Sequence, residues 1–209
     1  HGPYATSLRM GDLGYQSDAQ KGLAVCYNSL ESYVATLKQA IVQPHPEYVA
    51  IGTGTAEAPR QLNTSLLQIE NEFYSPVRPK RVTRSGETPL GALCRDGIEY
   101  IEVRCIDLNP YLPVGIDGPQ MRFLDGFLLH CLLSDSPPCD DAERARIAYN
   151  TLAVVNRGRE PGLLLDTGAG MRALADWANA LLADIAPVVR ALDNAHGGGD
   201  YTAALEQQM

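Results

Sequence analysis

The stretch "GIEYIEVRCIDLNP", residues 97–110, decides how the chain is read. Ile101, Val103 and Cys105 alternate with Tyr100, Glu102 and Arg104. A period of two marks a β-strand, whose successive side chains point to opposite faces. One face is apolar and suits packing on a core. The other sets an acid and a base two residues apart, with Cα atoms ~6.6–6.8 Å apart at strand rise. Both can then touch one small ligand. A carboxylate in a sheet can hold Mg2+ through oxygen, and an arginine can fork onto a phosphate. An exposed antiparallel face with a surface ion pair gives the same alternation, and the pattern alone favours that plainer reading.

A second polar face lies upstream. Residues 64–74, "TSLLQIENEFY", read as a strand with Leu67, Ile69, Asn71 and Phe73 on one face and Gln68, Glu70, Glu72 and Tyr74 on the other. The connecting "SPVRPKRVTRSGETPLGALCRDG" carries Arg78, Lys80, Arg81 and Arg84 in a charged loop, a composition that is usually just solvated. It ends in a short helix capped by Thr88 and started by Pro89. We expect residues 66–74 and 98–107 to pair in one sheet. Glu70 or Glu72, Tyr74, Glu102 and Arg104 would then share a face, with the apolar residues against the C-terminal helices. A one-residue slip would swap the faces and bury charge.

Around these strands, "PYATSLR" at residues 3–9 reads as a short strand and residues 12–22 as a polar loop. "NSLESYVATLKQAIVQ" is a helix: Asn28 and Glu31 suggest a capping box, Leu30, Tyr33, Val34, Leu37 and Ile41 form an apolar stripe, and Pro44 and Pro46 stop it. "GTGTAEAPRQ" is a turn or hairpin loop. After residue 115 the chain turns helical. Asp117 with Pro119 opens one helix; Asp140 and Glu143 cap a second that Gly158 ends. A third, over about 171–195, contains Pro187 and is expected to kink there. Gly197 to Gly199 end it, and "YTAALEQQM" is a last short helix. Strands first and helices after make an α+β plan. It has a sheet-rich part over 1–115 and a mostly helical part over 116–209, within a single partial domain.

The 209 residues are 45% hydrophobic and 20% charged, ordinary for a globular protein with a substantial core. A net charge of −8 argues against a nucleic-acid partner, while leaving room for a small anion at a local basic cluster. No apolar run reaches the ~18–20 residues of a membrane span. The cysteines, Cys26, Cys94, Cys105, Cys131 and Cys139, are odd in number and have no C-x-x-C spacing. They read as reduced thiols of a cytoplasmic protein, with Cys105 and Cys131 on apolar faces. His1, His45, His130 and His196 are too scattered for a metal signature. The opening "HGPYATSLR" and the closing "LEQQM" lead us to expect a piece of a longer protein.

"PYATSLRMGDLGY", "LLQIENEFYSPVRPKRVTRSGETP" and "GIEYIEVRCIDLNP", in that order, resemble the proteobacterial type of glutamate–cysteine ligase. The likeness runs from about residue 3 to 165 and loosens beyond. It implies a curved, mostly antiparallel sheet forming a funnel, similar to the core of glutamine synthetase, with helices packed on one face. It implies an ATP- and Mg2+-dependent ligase that joins the γ-carboxyl of L-glutamate to the amine of L-cysteine through a γ-glutamyl phosphate, the first step of glutathione synthesis. Carried over residue by residue, Glu102 matches a metal ligand and Arg104 an arginine facing the transferred phosphate. Arg9 and Tyr15 match positions lining the amino-acid pocket, and Tyr74 a tyrosine at the cysteine end. Glu70 and Lys80 are nearby and chemically suitable, Lys80 as a cation for the nucleotide. The family's catalytic chain is more than twice as long. The absent first half would supply further acidic metal ligands, so the 209-residue chain alone is expected to be inactive. Two other readings stay open: a carboxylate–amine ligase of the same core with a different amine, and a non-catalytic binding or regulatory module derived from the fold.

Overall fold

Ser29, one residue later than expected, caps the first helix. Its Oγ accepts from the Ser32 amide at 3.1 Å, while Ser32 Oγ accepts from the Ser29 amide at 3.3 Å. The computed structural model describes residues 2–14 and 17–209, and its contacts divide the chain into two units, Arg9–Ile106 and His1–Leu8 with Asp107–Met209.

In the Arg9–Ile106 unit, helix α1 (Leu30–Val42) buries Tyr33, Val34, Leu37 and Ala40, close to the stripe read from the sequence. These residues pack with Leu66, Leu67, Phe73, Leu90 and Leu93. Pro46 does not stop α1 but starts α2 (Pro46–Ile51), where a missing N–H costs nothing. Gly54 and Pro59 bridge across the turn expected at 52–61. Residues 64–74 form no strand. Leu66 and Leu67 are adjacent and both buried, at 8% and 0% exposure, which a strand with one buried face cannot achieve. Their amides instead donate to the carbonyls of Gln43 and Ala40 at the end of α1, at 2.8 and 3.0 Å. A 3-10 turn, Glu70–Glu72, follows.

The strand partner of the opening stretch is the run read as a charged loop. Strand β1 (Val77–Lys80) pairs antiparallel with β2 (Tyr100–Val103), Arg78 opposite Glu102 and Lys80 opposite Tyr100; helix α3 (Pro89–Asp96), capped by Thr88 as expected, lies between them in sequence. Directly opposed residues share a face, so Arg78, Lys80, Tyr100 and Glu102 lie on one side and Val77, Pro79, Ile101 and Val103 on the other. The expected burial is reversed in part: Ile101 is 45% exposed, whereas Arg78 is 5% exposed over the Phe73 ring.

In the other unit, helix α4 (Gly118–Leu133) starts at Asp117, whose carboxylate accepts from the Gln120 amide at 2.9 Å. Helix α5 (Asp141–Arg157) starts at Asp140, which accepts from the Glu143 amide at 2.8 Å. Gly158 ends α5 in a right-handed conformation with φ −58°, not a left-handed one. A Cβ there would sit 2.6 Å from Thr6 Cγ2, so the glycine makes room for a close approach. Residues 3–9 are not a strand. Thr6 instead donates its amide to Val155 O (2.9 Å) and its hydroxyl to Val154 O (2.6 Å) at the end of α5. A hairpin of β3 (Leu164–Asp166) and β4 (Met171–Ala173), absent from the sequence reading, precedes α6 (Leu174–His196). The long helix therefore begins three residues later than expected and continues through Pro187. Gly197, at φ 77°, ends it, and α7 (Asp200–Glu206) follows. Leu182, Ile185, Val189 and Leu205 form the core, flanked by Phe123 and Phe127.

The architecture is α+β. Among the described residues no cysteine is in a disulfide, Cys105 is half-buried, and Cys131 is exposed rather than packed inside. No helix among them is long and apolar enough to cross a membrane.

Candidate functional site

The polar face of the β1–β2 hairpin carries the candidate chemistry. Glu102 Oε1 accepts from Arg104 Nη1 at 3.1 Å. Its Oε2 lies 3.4 Å from Lys80 Nζ and is buried, with no hydrogen bond. Burial works against charge on this carboxylate, but Lys80 and Arg104 together outweigh it and hold the group below the usual carboxylate range. One anion between two cations leaves the cluster net positive, which suits a polyanionic ligand.

Arg104 is fixed from the main chain. Its amide donates to Pro76 O at 2.7 Å, carrying the ladder one step past β1. Its carbonyl accepts from Arg9 Nε, which brings Arg9 to the same end of the hairpin. A cleft of about 300 Å³ lies beside it, lined by Arg104 and Tyr74 with Gln68, Asn71 and Glu72. Tyr74 is 38% exposed and forms part of that lining.

The fold thus gathers Arg9, Tyr74, Lys80, Glu102 and Arg104 in one unit around this hairpin and cleft. Tyr15 lies outside the described residues. Glu70 is engaged elsewhere: its carboxylate accepts from the Leu90 amide at 2.7 Å and serves the start of α3. Glu72 is likewise engaged locally, accepting from the Gln68 amide at 2.7 Å.

Two contributors were missed by the sequence reading. Arg78, opposite Glu102, is buried and donates to Asn71 O at 3.1 Å. The alternation in "VRPK" was the available signal, masked by Pro79 and by the density of charge. Gln20, 8% exposed, holds the main chain on both sides of Phe73. It sits in a polar run with no periodicity to mark it.

A magnesium ion fits this hairpin only as part of a larger ligand set. No group of three or more His, Cys, Asp or Glu suited to a metal exists among the described residues. Glu102 Oε2, buried and without a hydrogen bond, is one oxygen of the hard type that Mg2+ prefers. Mg2+ commonly takes one or two carboxylates and completes its shell with water and phosphate oxygens, so a single carboxylate beside an arginine is compatible with it.

The glutamate-cysteine ligase family model matches residues 1–154. The glutamate–cysteine ligase of Pseudomonas entomophila is 53% identical over 207 residues, covering 99% of this chain and 39% of that protein. That of Pseudomonas aeruginosa is 53% identical over 210 residues, with the same coverage. The chain therefore spans about 39% of the length of the curated relatives it matches. The crystal structure of the Francisella tularensis glutamate–cysteine ligase in complex with AMP superimposes with a TM-score of 0.89 at 38% identity, covering 99% of this chain and 41% of that one. A bifunctional glutathione synthetase from Pasteurella multocida shares the fold, with a TM-score of 0.58 at 22% identity over 96% of this chain and 21% of that one. On the family match over residues 1–154, the chain belongs to the glutamate–cysteine ligase family.

Proposed function

We propose that this chain is part of the catalytic domain of a longer, cytoplasmic, ATP-dependent ligase that joins the γ-carboxyl of L-glutamate to the amine of L-cysteine, the first step of glutathione synthesis. The remainder of the domain, with further acidic ligands, lies in the part of the relatives' length that this chain does not span. The observation that carries the reading is the Lys80–Glu102–Arg104 cluster set beside the Tyr74 cleft.

A carboxylate is a poor acyl donor, so the γ-carboxylate first attacks the γ-phosphorus of ATP and ADP leaves. Charge on the transferred phosphoryl group is met by fixed donors rather than by covalent work. Arg104 and Lys80 are those donors here. Glu102 orients Arg104 through their 3.1 Å contact and would hold Mg2+, which supplies charge neutralisation at the phosphates when bound. In the second half-reaction the cysteine amine attacks the γ-acyl carbon and inorganic phosphate leaves. This step depends on holding the amine close, for which Arg9, Tyr15 and Tyr74 are the proposed anchors.

In the longer enzyme, Arg104→Ala is expected to lower kcat ~10²–10³-fold, the usual loss for one preorganised donor, with a smaller change in the KM for cysteine. A near-normal kcat would return Arg104 to the role of a surface ion-pair partner. A panel of acceptor amines separates a cysteine ligase from a ligase of the same core with another amine. The 209-residue chain alone is expected to fall short of the usual enzymatic turnover of ~1–10³ s⁻¹. ADP release at such a rate would refute the need for the remaining length.

A further inference from the structure

We infer that Gln20 is a positioning residue that sets the affinity of the acceptor site by holding the main chain on which Tyr74 is mounted. The inference rests on the reading of Tyr74 as an acceptor-binding residue. Gln20 lies at the end of a single 3-10 turn (Asp18–Gln20), in a segment that otherwise reads as a solvated loop. It is nevertheless 8% exposed, among the few buried polar side chains of the described residues. Its amide makes two opposed bonds. Nε2 donates to Glu72 O at 2.9 Å, and Oε1 accepts from the Tyr74 amide at 2.8 Å.

Those two bonds bracket Phe73, which is 5% exposed in the core. The segment is therefore anchored by an apolar side chain on one side and by a primary amide on the other. No strand ladder satisfies the main chain here, because residues 70–75 lie outside both strands of the hairpin and outside the one-step extension of its ladder to Pro76. An irregular segment of this kind leaves its buried N–H and C=O groups to side chains. Only a primary amide of this length can both donate to one carbonyl and accept from the next-but-one N–H. Glutamate can accept but not donate, and alanine can do neither. Arg78 supports the same segment one residue earlier, through Asn71 O at 3.1 Å. Glu72 and Tyr74, the residues Gln20 holds, both line the cleft that also contains Arg104. Gln20 contributes nothing to that cleft itself. It acts through the backbone, and its effect is expected on binding at the Tyr74 end rather than on phosphoryl transfer at Arg104.

The test compares Gln20→Ala, Tyr74→Ala and the double variant in the longer enzyme, with KM for cysteine, KM for ATP and kcat measured separately. Gln20→Ala is expected to raise the KM for cysteine on the order of tenfold, with kcat and the KM for ATP changed by less than about twofold, since a small misplacement is felt where groups must be held close. The double variant is expected to match Tyr74→Ala, because a clamp has nothing to position once the ring is gone. If Gln20→Ala does not fold, Gln20→Glu carries the same test, since it keeps the length and the acceptor while losing the donor to Glu72 O. An unchanged KM for cysteine in a folded Gln20 variant, when Tyr74→Ala does raise it, overturns the clamp and leaves the reading of Tyr74 standing. No effect of Tyr74→Ala overturns the reading of Tyr74, and the clamp with it. A Gln20 effect that adds fully to that of Tyr74→Ala also overturns the clamp, since it would then act elsewhere.

Discussion

The two units bury their polar side chains for different purposes. In Arg9–Ile106 the buried polar residues among those described are Gln20, Ser75 and Arg78, and all three bond to main-chain groups of the segment 71–77 that leads into β1. In the Asp107–Met209 part, Asp193 is the buried polar residue, and it serves a helix. Its carboxylate accepts from the amides of Tyr201 and Thr202, each at 2.9 Å, at the start of α7, where the cap residue Gly199 offers no side chain. The difference teaches where side chains must intervene. A helix satisfies its own interior and asks for help only at its ends. A loop such as the one that carries Tyr74 asks for help along its whole length.

Removing the strongest support on the irregular side should do the most damage. Arg78→Ala takes the donor from Asn71 O and the packing from Phe73, and is expected to cost about 2–4 kcal/mol in urea unfolding. A loss below about 0.5 kcal/mol would place Arg78 with ordinary surface cations and end the contrast between the units.

On the helical side the expected weak point is apolar fit. A Cβ on Gly126 of α4 would stand 2.6 Å from Cγ1 of the fully buried, β-branched Val189. Gly126→Ala is therefore expected to destabilise by about 1–3 kcal/mol through overpacking. Helix propensity alone predicts the reverse, a gain of ~0.5–1 kcal/mol. The sign of the change decides which effect rules this interface.

A smaller loss should follow Asp193→Ala. Tm should fall on the order of 5 °C, with faster amide exchange at Tyr201 and Thr202 and not within residues 71–77. The Thr202 hydroxyl, 2.6 Å away, holds the Asp193 carboxyl below its usual 3.8; burial opposes this, and the two amides reinforce it. A lowered carboxylate stabilises fully above its usual value and loses that contribution as pH falls through the lowered one. The cap should thus fail only in acid below about pH 3.8.

The smallest effect belongs to a partly exposed ion pair in the Arg9–Ile106 unit. The Arg95 guanidinium, donating to Glu87 at 2.8 and 3.0 Å, holds that carboxyl down at about 2. Arg95→Met should return the Glu87 titration, followed by NMR, toward 4.5. Any stability from the pair is present above pH 4.5 and lost between 4.5 and about 2. At neutral pH its removal should be nearly silent, as for most solvated ion pairs. A large effect there would show that α3 depends on surface charge, as the buried arginine comparison does not anticipate.

Much of the helical architecture was legible because its signals are local. Thr88, Asp117 and Asp140 each cap the helix that the sequence assigned to them, since a cap needs only a side chain and an amide three residues on. Glu102 and Arg104 were legible as neighbours on one strand face for the same reason, and the structure joins them at 3.1 Å. The misread strand at 64–74 has a clear cause. Alternation over "LLQIENEFY" suggested a strand, but Leu66 and Leu67 are both drawn into the core against α1, and that burial overrides the period.

The amino-acid sequence by itself determined the family, the helix starts, and which acid and base share the second strand, because each is written within a few residues or in motifs kept in order. Only the tertiary structure decided that "VRPK" is the strand's partner, that Glu70 serves α3, and that Gln20 and Arg78 hold the segment bearing Tyr74. Each of these is a pairing between residues separated by 7 to 54 positions, and the Gln20–Tyr74 bond spans the longest. Such pairings are set by which groups the packed core leaves unsatisfied, and no local pattern in the chain encodes that.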